Sequence, residues 1–387
     1  MNRLGILSTH PIQYYSPLYR ELAARPGLDL TVYYAHDPTP ADQAAAGFGV
    51  GFAWDVPLLD GYRSEFLTNV SRRPGLSDSG GCNTPGVAEV IRRERFDAFL
   101  VHGWYTKSYH QAMRACWQTR TPLLVRGDST LQVTKGRLRR AVKWVARRRL
   151  VPRFDGYAVV GQRAREYYLH YGAEPARMAA SPHFVDNERF ARQAAEARPR
   201  RAELRAKWGL PADAVVFLFV GKLLPGKRPL DLVRAVAAAG LPAAGLVVGD
   251  GPLLAPSRAE AARLGAAVGF TGFLNQSELP AAYAAADVVV VSSSSETWGL
   301  VVNEGMACGL PAVVTDQVGC GLDLVQPGEV GAVYPVGDVD ALAAVAAGYA
   351  ADPGRLAAES VAARRRVGGY TAAAAADGVC ELAGRFG

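Results

Sequence analysis

Two glutamates stand eight residues apart in the segment SSSSETWGLVVNEGMACGLP, residues 292–311, which follows four consecutive valines. Glu296 lies in the serine-rich turn after this valine strand, and we expect Glu304 in the first turn of the helix that follows. Gly299 lets the backbone approach a ligand closely, so the N–H groups of residues 297–300 are candidate donors to phosphate oxygens. Carboxylates accept hydrogen bonds from vicinal hydroxyls. The spacing therefore suits a ligand that carries a sugar, a diphosphate and a ribose.

A second candidate site is the segment FLFVGKLLPGKRPLDL, residues 217–232, which is predicted to run strand, loop, helix. Gly221 permits a close backbone approach, and Lys222 and Lys227 flank a glycine-containing loop just before the helix. A helix N-terminus with two ammonium groups is suited to a diphosphate. The loop is not a Walker motif, because Arg228 stands where Ser or Thr is required. Diphosphate binding and a pair of solvated lysines are the two interpretations.

Strand-like and helix-like segments alternate along the chain, which predicts an α/β architecture with parallel sheets buried on both faces. The alternation pauses near residues 187–212, which we interpret as a linker with a short helix. We expect an N-terminal domain over residues 1–186, a C-terminal domain over residues 187–365, and a helical segment over residues 366–387 that packs back toward the first domain. Two Rossmann-like domains facing a central cleft would place the chemistry in the loops that follow strands.

The composition of the 387 residues, with 49% hydrophobic and 20% charged side chains, is typical of a soluble globular protein. No run of about 18 apolar residues occurs, so no transmembrane helix is expected. The five cysteines form no CxxC pair, which argues against a disulfide framework or a zinc site and favours a cytoplasmic location. A net charge of +7 does not by itself indicate a nucleic-acid partner, and none is expected.

Much of the positive charge is concentrated in residues 135–154, KGRLRRAVKWVARRRLVPRF, which hold nine Lys and Arg and no acid. Leu138, Ala141, Val142 and Val145 recur at helical spacing, so we expect one packed face and one basic face. The basic face is either solvated or a binding face for anionic lipid or a phosphate-bearing acceptor. In the lipid case, the protein would lie peripherally at the inner face of a membrane.

Several motifs carry a resemblance to a known family: the Glu296/Glu304 pair, VGKLLPGK (220–227), GDGPL (249–253) and MACGLPAVVTD (306–316). Together they resemble the retaining family-4 glycosyltransferases of the GT-B fold. The resemblance implies that Lys222 and Lys227 bind the donor diphosphate, that Glu296 faces the transferred sugar and that Glu304 holds the ribose. The donor-binding residues it implies are Gly221, Lys222, Lys227, Glu296, Thr297, Trp298, Gly299, Leu300 and Glu304.

The N-terminal half departs from that family's common pattern, in which a glycine-rich loop often follows the first strand. Here the segment STHPIQYYSPLYREL, residues 8–22, follows the strand instead. His10, Gln13 and Tyr14 are candidates for contacts to the acceptor, and Tyr14 and Tyr15 offer stacking surfaces. The alternative is that His10 and the proline after it only shape the turn.

Many relatives place a histidine near the reacting sugar after a later strand, which corresponds to TPLLVRGDS, residues 121–129. Asp128 occupies that place here, and His102 in LVHGW follows the neighbouring strand. Asp128 is therefore a catalytic candidate together with Glu296, Lys222 and Lys227, and His102 is an acceptor-binding candidate. The alternative for Asp128 is that it caps the next segment.

Two further motifs are interpreted as structural. Asp338 and Asp340 in GDVDAL have the spacing of a metal-binding carboxylate pair of another glycosyltransferase fold, but they open an alanine-rich helix, where Asp is an ordinary N-cap. GFGVGF, residues 47–52, precedes no convincing helix and is not a dinucleotide fingerprint. No metal is expected, because Lys222, Lys227 and helix N-termini can stabilise the charge on the diphosphate. No cofactor is expected either, because the nucleotide-sugar is a substrate.

The sequence thus predicts a metal-independent, retaining glycosyltransferase that acts in glycan or glycoside biosynthesis. It would move a sugar from a nucleoside diphosphate, UDP being the favoured one, to a hydroxyl acceptor, with a lipid-linked acceptor among the options. Two alternatives stay open. One is a sugar-nucleotide epimerase of similar architecture, and the other is a non-catalytic protein that binds lipid or nucleic acid through its basic helix.

Overall fold

A computed structural model describes residues 2–43, 50–131, 137–325 and 327–387, with the backbone alone described for residues 43 and 137–139. The first half of the GFGVGF segment, residues 47–49, and the first two residues of the basic segment therefore lie outside the described residues, as do the side chains of Leu138 and Arg139. The chain divides into two compact units. The first unit comprises residues 1–42, 57–183 and 372–387, and the second comprises residues 43–56 and 184–371.

Each unit is built on a parallel sheet. The strands of the first sheet are β1 (Asn2–Ser8), β2 (Leu28–Tyr34), β3 (Ser64–Phe66), β4 (Ala98–Val101), β5 (Leu123–Gly127), β6 (Gly156–Val159) and β7 (Met178–Ala180). The strands of the second sheet are β8 (Val215–Val220), β9 (Ala243–Val248), β10 (Val268–Gly272), β11 (Val288–Val291), β12 (Ala312–Thr315) and β13 (Gly331–Tyr334). Within the described ranges the orders are β3-β2-β1-β4-β5-β6-β7 and β10-β9-β8-β11-β12-β13, and the paired strands are parallel.

Helices separate most of these strands, as parallel connections require. They are α1 (Ser16–Ala23), α2 (Pro40–Gln43), α3 (Val87–Glu94), α4 (Lys107–Thr119), α5 (Arg137–Leu150), α6 (Gln162–His170), α7 (Asn187–Ala197), α8 (Arg201–Lys207), α9 (Pro229–Ala239), α10 (Leu254–Leu264), α11 (Leu279–Ala285), α12 (Leu300–Ala307), α13 (Val339–Ala351), α14 (Pro353–Val367) and α15 (Ala372–Ala383). The last of them, α15, belongs to the first unit, where it packs on α1 and β7.

Both sheets carry the continuous apolar strands that a sheet covered on two faces needs. The four valines of β11 are at most 8% exposed, and the side chains of β1 from its third residue onward are buried. Because the strands are apolar and parallel, the polar residues that follow them collect at the carboxyl edge of each sheet. The candidate residues of the sequence analysis fall at these two edges.

The polar stretch after β7 differs from the expected linker. Residues 187–207 form α7, a 3₁₀ turn at Arg198–Arg200 and α8, and they pack on α11 and α12 of the second unit. The linker interpretation was wrong because the stretch hides a buried face that includes Phe190 and Arg205 among many charged residues. The Arg205 guanidinium, which is 4% exposed, forms a 2.7 Å ion pair with Asp287 at the start of β11.

Part of the long loop region between β2 and β3 belongs to the second unit. Within residues 50–56, the Ala53 carbonyl accepts a 2.8 Å hydrogen bond from Asn275 Nδ2. The Phe52 ring lies 4.4 Å from the ring of Phe273. These contacts explain why the segment groups with the C-terminal half although it lies within the sequence of the N-terminal half.

The basic helix α5 differs from its expected packing. Val142 is 62% exposed, Val145 is 39% exposed and Ala141 is exposed as well, so these residues do not form a packed face. Trp144 is 46% exposed. Helical spacing predicted the face but could not supply a partner for it, and the face therefore combines apolar and basic side chains at the surface. Across the described ranges, no helix has the length and apolar character needed to cross a bilayer.

Candidate active site

The loop between β8 and α9 forms one wall of the candidate site in the second unit. Gly221 directly follows β8 with φ +153°, and a Cβ added to Gly249, at the end of β9, would lie 1.9 Å from the Gly221 carbonyl oxygen. The loops after β8 and β9 are therefore in direct backbone contact, which only glycine at position 249 permits. After Gly221 come Lys222, the 3₁₀ turn Pro225–Lys227 and the N-terminus of α9.

The serine-rich loop between β11 and α12 is bound to this first loop. Ser292 Oγ donates to the Lys227 carbonyl at 2.9 Å, and Ser294 donates from both its backbone N (2.8 Å) and its Oγ (3.1 Å) to the Gly226 carbonyl. These bonds hold the turn that carries Lys227 against the turn that carries Glu296. The hydroxyls of Ser292 and Ser294 therefore link the two loops, whereas the sequence indicated these serines only as turn residues.

Lys227 and Glu296 form an ion pair through Nζ and Oε2. Their side chains remain 32% and 18% exposed, and Ser293 Oγ donates to the same carboxylate oxygen at 3.4 Å. Lys222 is half-buried, and its pKa is lowered by burial first and by the charge of Lys227 second. Two ammonium groups thus lie close enough to repel one another while one carboxylate partly neutralises them. An anionic ligand would relieve that repulsion.

The backbone after Glu296 is shaped by a third loop. Gly319 N donates to the Glu296 carbonyl and Cys320 N to the Trp298 carbonyl, both at 2.9 Å. A Cβ on Gly319 would lie 1.8 Å from the Thr297 carbonyl oxygen, so glycine is required there. Thr297 itself is exposed, and the chain then reaches Gly299.

Gly299 is the N-cap residue of α12. It has φ +103°, lies directly before Leu300, and offers no side-chain cap to the helix. The first N–H groups of a helix lack intrahelical acceptors, so this end of α12 can donate to an anion. The Trp298 side chain is 4% exposed and donates from Nε1 to Asn303 Oδ1 at 2.8 Å, so this residue can offer a ligand only its backbone.

Glu304 lies one turn further along α12 than expected. The helix begins at Leu300, which places Glu304 in its second turn, and the expectation of a first-turn carboxylate was wrong. Glu304 is 1% exposed and accepts a 2.5 Å hydrogen bond from the Tyr283 hydroxyl on α11. A carboxylate buried in this way has a fixed position. The Tyr283 hydroxyl helps to hold it there, and no sequence motif indicated this residue.

The candidates in the first unit lie in the loops after β1, β4 and β5. His10 Nδ1 is 2.9 Å from Thr9 Oγ1, and burial lowers the pKa of His10 to about 4, with the nearby His36 as a second cause. His10 is therefore neutral at physiological pH. Gln13 and Tyr14, in the same loop, are half-buried. The Gln13 Oε1 atom is buried without a hydrogen-bond partner.

His102 forms the centre of an aromatic cluster with two tyrosines. Its Nε2 is 2.8 Å from the Tyr19 hydroxyl, and its ring stacks on that of Tyr15 at 4.2 Å with an interplanar angle of 12°. Burial holds the pKa of His102 well below its usual range, and the positive charge of Arg126 acts in the same direction. Tyr15, expected as an open stacking surface, thus already stacks on His102.

Asp128 directly follows β5 and is half-buried. The next described helix, α5, starts only at Arg137, so Asp128 is not the N-cap of that helix. Asp338, by contrast, caps α13 by accepting a 2.9 Å hydrogen bond from Ala341 N, which confirms the structural interpretation of that aspartate.

Comparison with known families identifies the class of protein to which these two units belong. Residues 11–183 match the model of the glycosyl transferase 4-like domain, and residues 200–366 match that of glycosyl transferases group 1. The two matches together span most of the chain. The chain belongs to the group 1 glycosyltransferases with a glycosyl transferase 4-like N-terminal domain.

A relative of known name agrees with that assignment. The chain is 33% identical over 281 residues to the D-inositol 3-phosphate glycosyltransferase of Streptomyces bingchenggensis, a match that covers 66% of this chain and 60% of that protein. The chain thus spans less than two thirds of this relative's length.

Solved structures show that the fold is GT-B. HepE of Anabaena in complex with UDP superposes with a TM-score of 0.76 at 20% identity over 100% of both chains. WaaG, a glycosyltransferase involved in lipopolysaccharide biosynthesis, gives a TM-score of 0.66 at 16% identity over 99% of both chains.

The geometry predicts opposite effects for the two members of the Lys227–Glu296 pair on anion binding. Lys227→Ala should weaken binding of inorganic pyrophosphate about tenfold or more, because a charge-assisted hydrogen bond is lost. Glu296→Gln should strengthen it, because the carboxylate that competes for Lys227 becomes neutral. Isothermal titration calorimetry measures both, with the exposed Lys207→Ala as the matched control. A loss of affinity in Glu296→Gln equal to that in Lys227→Ala would show that Glu296 positions the lysine instead of competing for it.

Proposed function

We propose that this protein transfers a sugar from a nucleoside diphosphate, UDP in the first place, to a hydroxyl acceptor with retention of anomeric configuration. The observation that carries the proposal is the grouping of Lys222 and Lys227 with Glu296 at the carboxyl edge of the second sheet. The N-termini of α9 and α12 follow these residues in the chain, and neither helix has a side-chain cap. This is a site for a diphosphate that carries a polyhydroxylated group.

The donor would be bound along this edge in three parts. Lys222, Lys227 and the backbone at Gly299 and Leu300 take the diphosphate, and Glu296 accepts hydrogen bonds from the transferred sugar. Glu304 accepts them from the ribose hydroxyls. HepE, which has the same fold, holds UDP in one crystal structure and UDP-glucose in another. That similarity supports UDP as the first nucleotide to test.

Transfer would occur on one face of the sugar. The bond between the anomeric carbon and the phosphate oxygen breaks, the acceptor oxygen bonds to that carbon from the same side, and the acceptor proton passes to the departing phosphate oxygen. Lys222 and Lys227, with the two helix N-termini, stabilise the negative charge that develops on the diphosphate. These cations do the work for which other enzymes use a metal ion, so we propose a metal-independent reaction without a cofactor.

The acceptor would be bound by the first unit, through His10, Gln13, Tyr14 and His102, with Asp128 close to the reacting hydroxyl. The Streptomyces relative is named for D-inositol 3-phosphate, so a small polyol phosphate is the first acceptor to test. His10 and His102 are neutral, which leaves their ring nitrogens able to donate to or accept from hydroxyl groups.

A transfer assay tests the proposal. The protein is incubated in EDTA with a panel of UDP-sugars and D-inositol 3-phosphate, and nucleotide release and glycoside formation are followed by NMR, which also reports the anomeric configuration. We expect a glycoside of retained configuration from at least one donor, and a loss of turnover of about a hundredfold or more in Glu296→Ala. Asp338→Ala, which removes only a helix cap, is the control variant.

Other outcomes of this assay would contradict specific parts of the proposal. An epimer or a free sugar formed from the donor alone would favour the sugar-nucleotide epimerase. Activity lost in EDTA and restored by manganese would contradict the metal-independent mechanism. An inverted product would contradict same-face transfer, and no nucleotide release from any donor would favour a non-catalytic binder.

The ribose contact is tested with nucleotides that lack one hydroxyl. Glu304→Gln should weaken UDP binding about tenfold or more, since a hydrogen bond to a charged acceptor is lost. The same variant should bind 2′-deoxy-UDP or 3′-deoxy-UDP nearly as well as the wild type does, because the contact is already missing in one of these ligands. Calorimetry gives the four affinities of each cycle. Equal losses for UDP and for both deoxy analogues would remove Glu304 from the ribose site.

A second part of the proposal concerns α5 and an anionic membrane surface. Val142, Trp144 and Val145 are exposed on the same helix as Arg140 and Lys143. A helix that joins exposed apolar and basic side chains suits the interface of a bilayer with anionic headgroups. Each Lys or Arg near such a surface contributes roughly 1 kcal/mol, so a few engaged residues support reversible attachment. This surface would suit a lipid-linked acceptor.

Vesicle sedimentation tests this surface. The wild type should bind vesicles that contain phosphatidylserine at low salt, and Arg140→Glu, Lys143→Glu and Arg148→Glu together should abolish the binding while UDP affinity stays unchanged. The control makes the same change of net charge at exposed arginines elsewhere, as Arg92→Glu, Arg114→Glu and Arg165→Glu, and should keep most of the binding. Equal loss in both triple variants would reduce the effect to net charge, and a wild type that ignores such vesicles would refute the membrane surface.

A further inference from the structure

Arg126 is a fully buried cation inside an apolar strand. It lies in β5 between Val125 and Gly127 and is 1% exposed. Its Nε donates to Ser181 Oγ at 3.0 Å, and its Nη2 donates to the carbonyls of Ser181 (3.2 Å) and Pro182 (2.9 Å). These acceptors are uncharged, and no ion pair of Arg126 is found in the described part of the chain.

The Nη1 group of Arg126 has no hydrogen-bond partner, although it is buried. A buried guanidinium without a counter-ion is costly, because desolvation penalises the charge and an unmade hydrogen bond adds to the cost. Burial accordingly lowers the pKa of Arg126 from its ordinary value, and the negative charge of Asp128 offsets part of that effect. Binding of residues 181–182 does not explain this cost. Nε already donates to the Ser181 hydroxyl and Nη2 to the Ser181 and Pro182 carbonyls, so Nη1 has no part in that contact.

The groups packed around Arg126 are aromatic rings and neutral imidazoles, which tolerate a positive charge. The Tyr15 ring lies 5.7 Å from the guanidinium carbon, a cation–π distance. His102 and His183 are both kept neutral by burial and by Arg126, so no second cation competes for a ligand. The neighbouring loops thus leave Arg126 as the one cation among the described groups that surround it, with the Asp128 charge nearby but no ion pair between the two in the described part of the chain.

Two more buried polar atoms in adjacent loops lack partners. His102 Nδ1, after β4, has none, and Gln13 Oε1, after β1, has none either. Since β1, β4 and β5 are neighbours in the sheet, all three orphaned groups follow or end adjacent strands at one edge. The set comprises a cationic donor, an imidazole nitrogen and an amide acceptor, which together match an oxyanion that also carries hydroxyl groups.

We propose that Arg126 binds an oxyanion of the acceptor, a phosphate or a carboxylate, with His102 and Gln13 contacting hydroxyl groups beside it. The inference rests on the proposed function and narrows it, because the acceptor must then be an anion. It requires the β1–α1 loop to yield to the ligand, and the Gln13 and Tyr15 side chains of that loop are half-buried instead of buried.

The test uses inorganic phosphate and acetate as probes in a protein whose donor site is disabled. In the Lys222→Ala, Lys227→Ala background, phosphate or acetate is titrated and followed by calorimetry and by the shift of Tm. We expect saturable binding of one of the two anions, which identifies phosphate or carboxylate as the source. Adding Arg126→Gln should weaken it about tenfold or more. Adding Arg92→Gln, which removes an exposed arginine, should leave it unchanged.

Two further measurements keep the outcome decisive. If Arg126→Gln fails to fold, Arg126→Lys keeps the charge without the fork geometry and should weaken binding by a smaller factor. The inference would be overturned if the Lys222→Ala, Lys227→Ala protein bound neither phosphate nor acetate. It would also be overturned if adding Arg126→Gln and adding Arg92→Gln left the same affinity. The UDP affinity of Arg126→Gln in the otherwise wild-type protein separates the donor-site proposal from the anion-site proposal. This affinity should match that of the wild type. A wild-type protein that binds no UDP would refute the donor site and leave the anion result standing.

Discussion

The constraint on which the rest of this structure depends is that both sheets are parallel and covered on both faces. Strands buried in this way must be apolar, as the four valines of β11 show, and every backbone group inside must be paired in the ladder. Polar side chains and unpaired backbone N–H groups can then collect only where strands end. The candidate site residues of both units follow strands at these carboxyl edges for that reason.

In the second unit, this constraint brings opposite charges and tight backbone contacts together. Glycines at positions 249 and 319 let neighbouring loops touch at distances that a Cβ would forbid, and serine hydroxyls bind the two charged turns to each other. The result is a Lys227–Glu296 pair beside a second lysine whose pKa is lowered. The proposed diphosphate would therefore meet cations already held in place. It would have to compete with Glu296 for Lys227, which would couple its binding to the release of that carboxylate.

The carboxyl edge of the first sheet differs from that of the second sheet in its charged groups. Burial lowers the pKa of His10, His102 and His183. The one deeply buried cation among the described residues of this unit is Arg126, which donates to two carbonyls and a serine hydroxyl. Neutral imidazoles and tyrosines at this edge can accept hydrogen bonds from hydroxyl groups and donate to them, and Arg126 adds one buried cation. The two units thus differ in electrostatics although their sheets follow the same principle.

The sequence by itself determined the α/β class, the candidate loops after strands in each half of the chain and the donor candidates from Gly221 to Glu304. These depend on hydrophobic periodicity and on local motifs. It also determined the N-cap role of Asp338, which is set by its own helix. Only the tertiary structure decided that Glu304 lies in the second turn of α12 and that Tyr283 holds its carboxylate. The start of this helix depends on the preceding loop, which is bonded to Gly319. The exposure of Val142 and Val145 and the packing of residues 187–207 likewise depend on what lies opposite each helix face. The sequence shows Arg126 as a charge inside an apolar strand. It does not show whether that charge is paired, because the partners come from loops far away in the sequence.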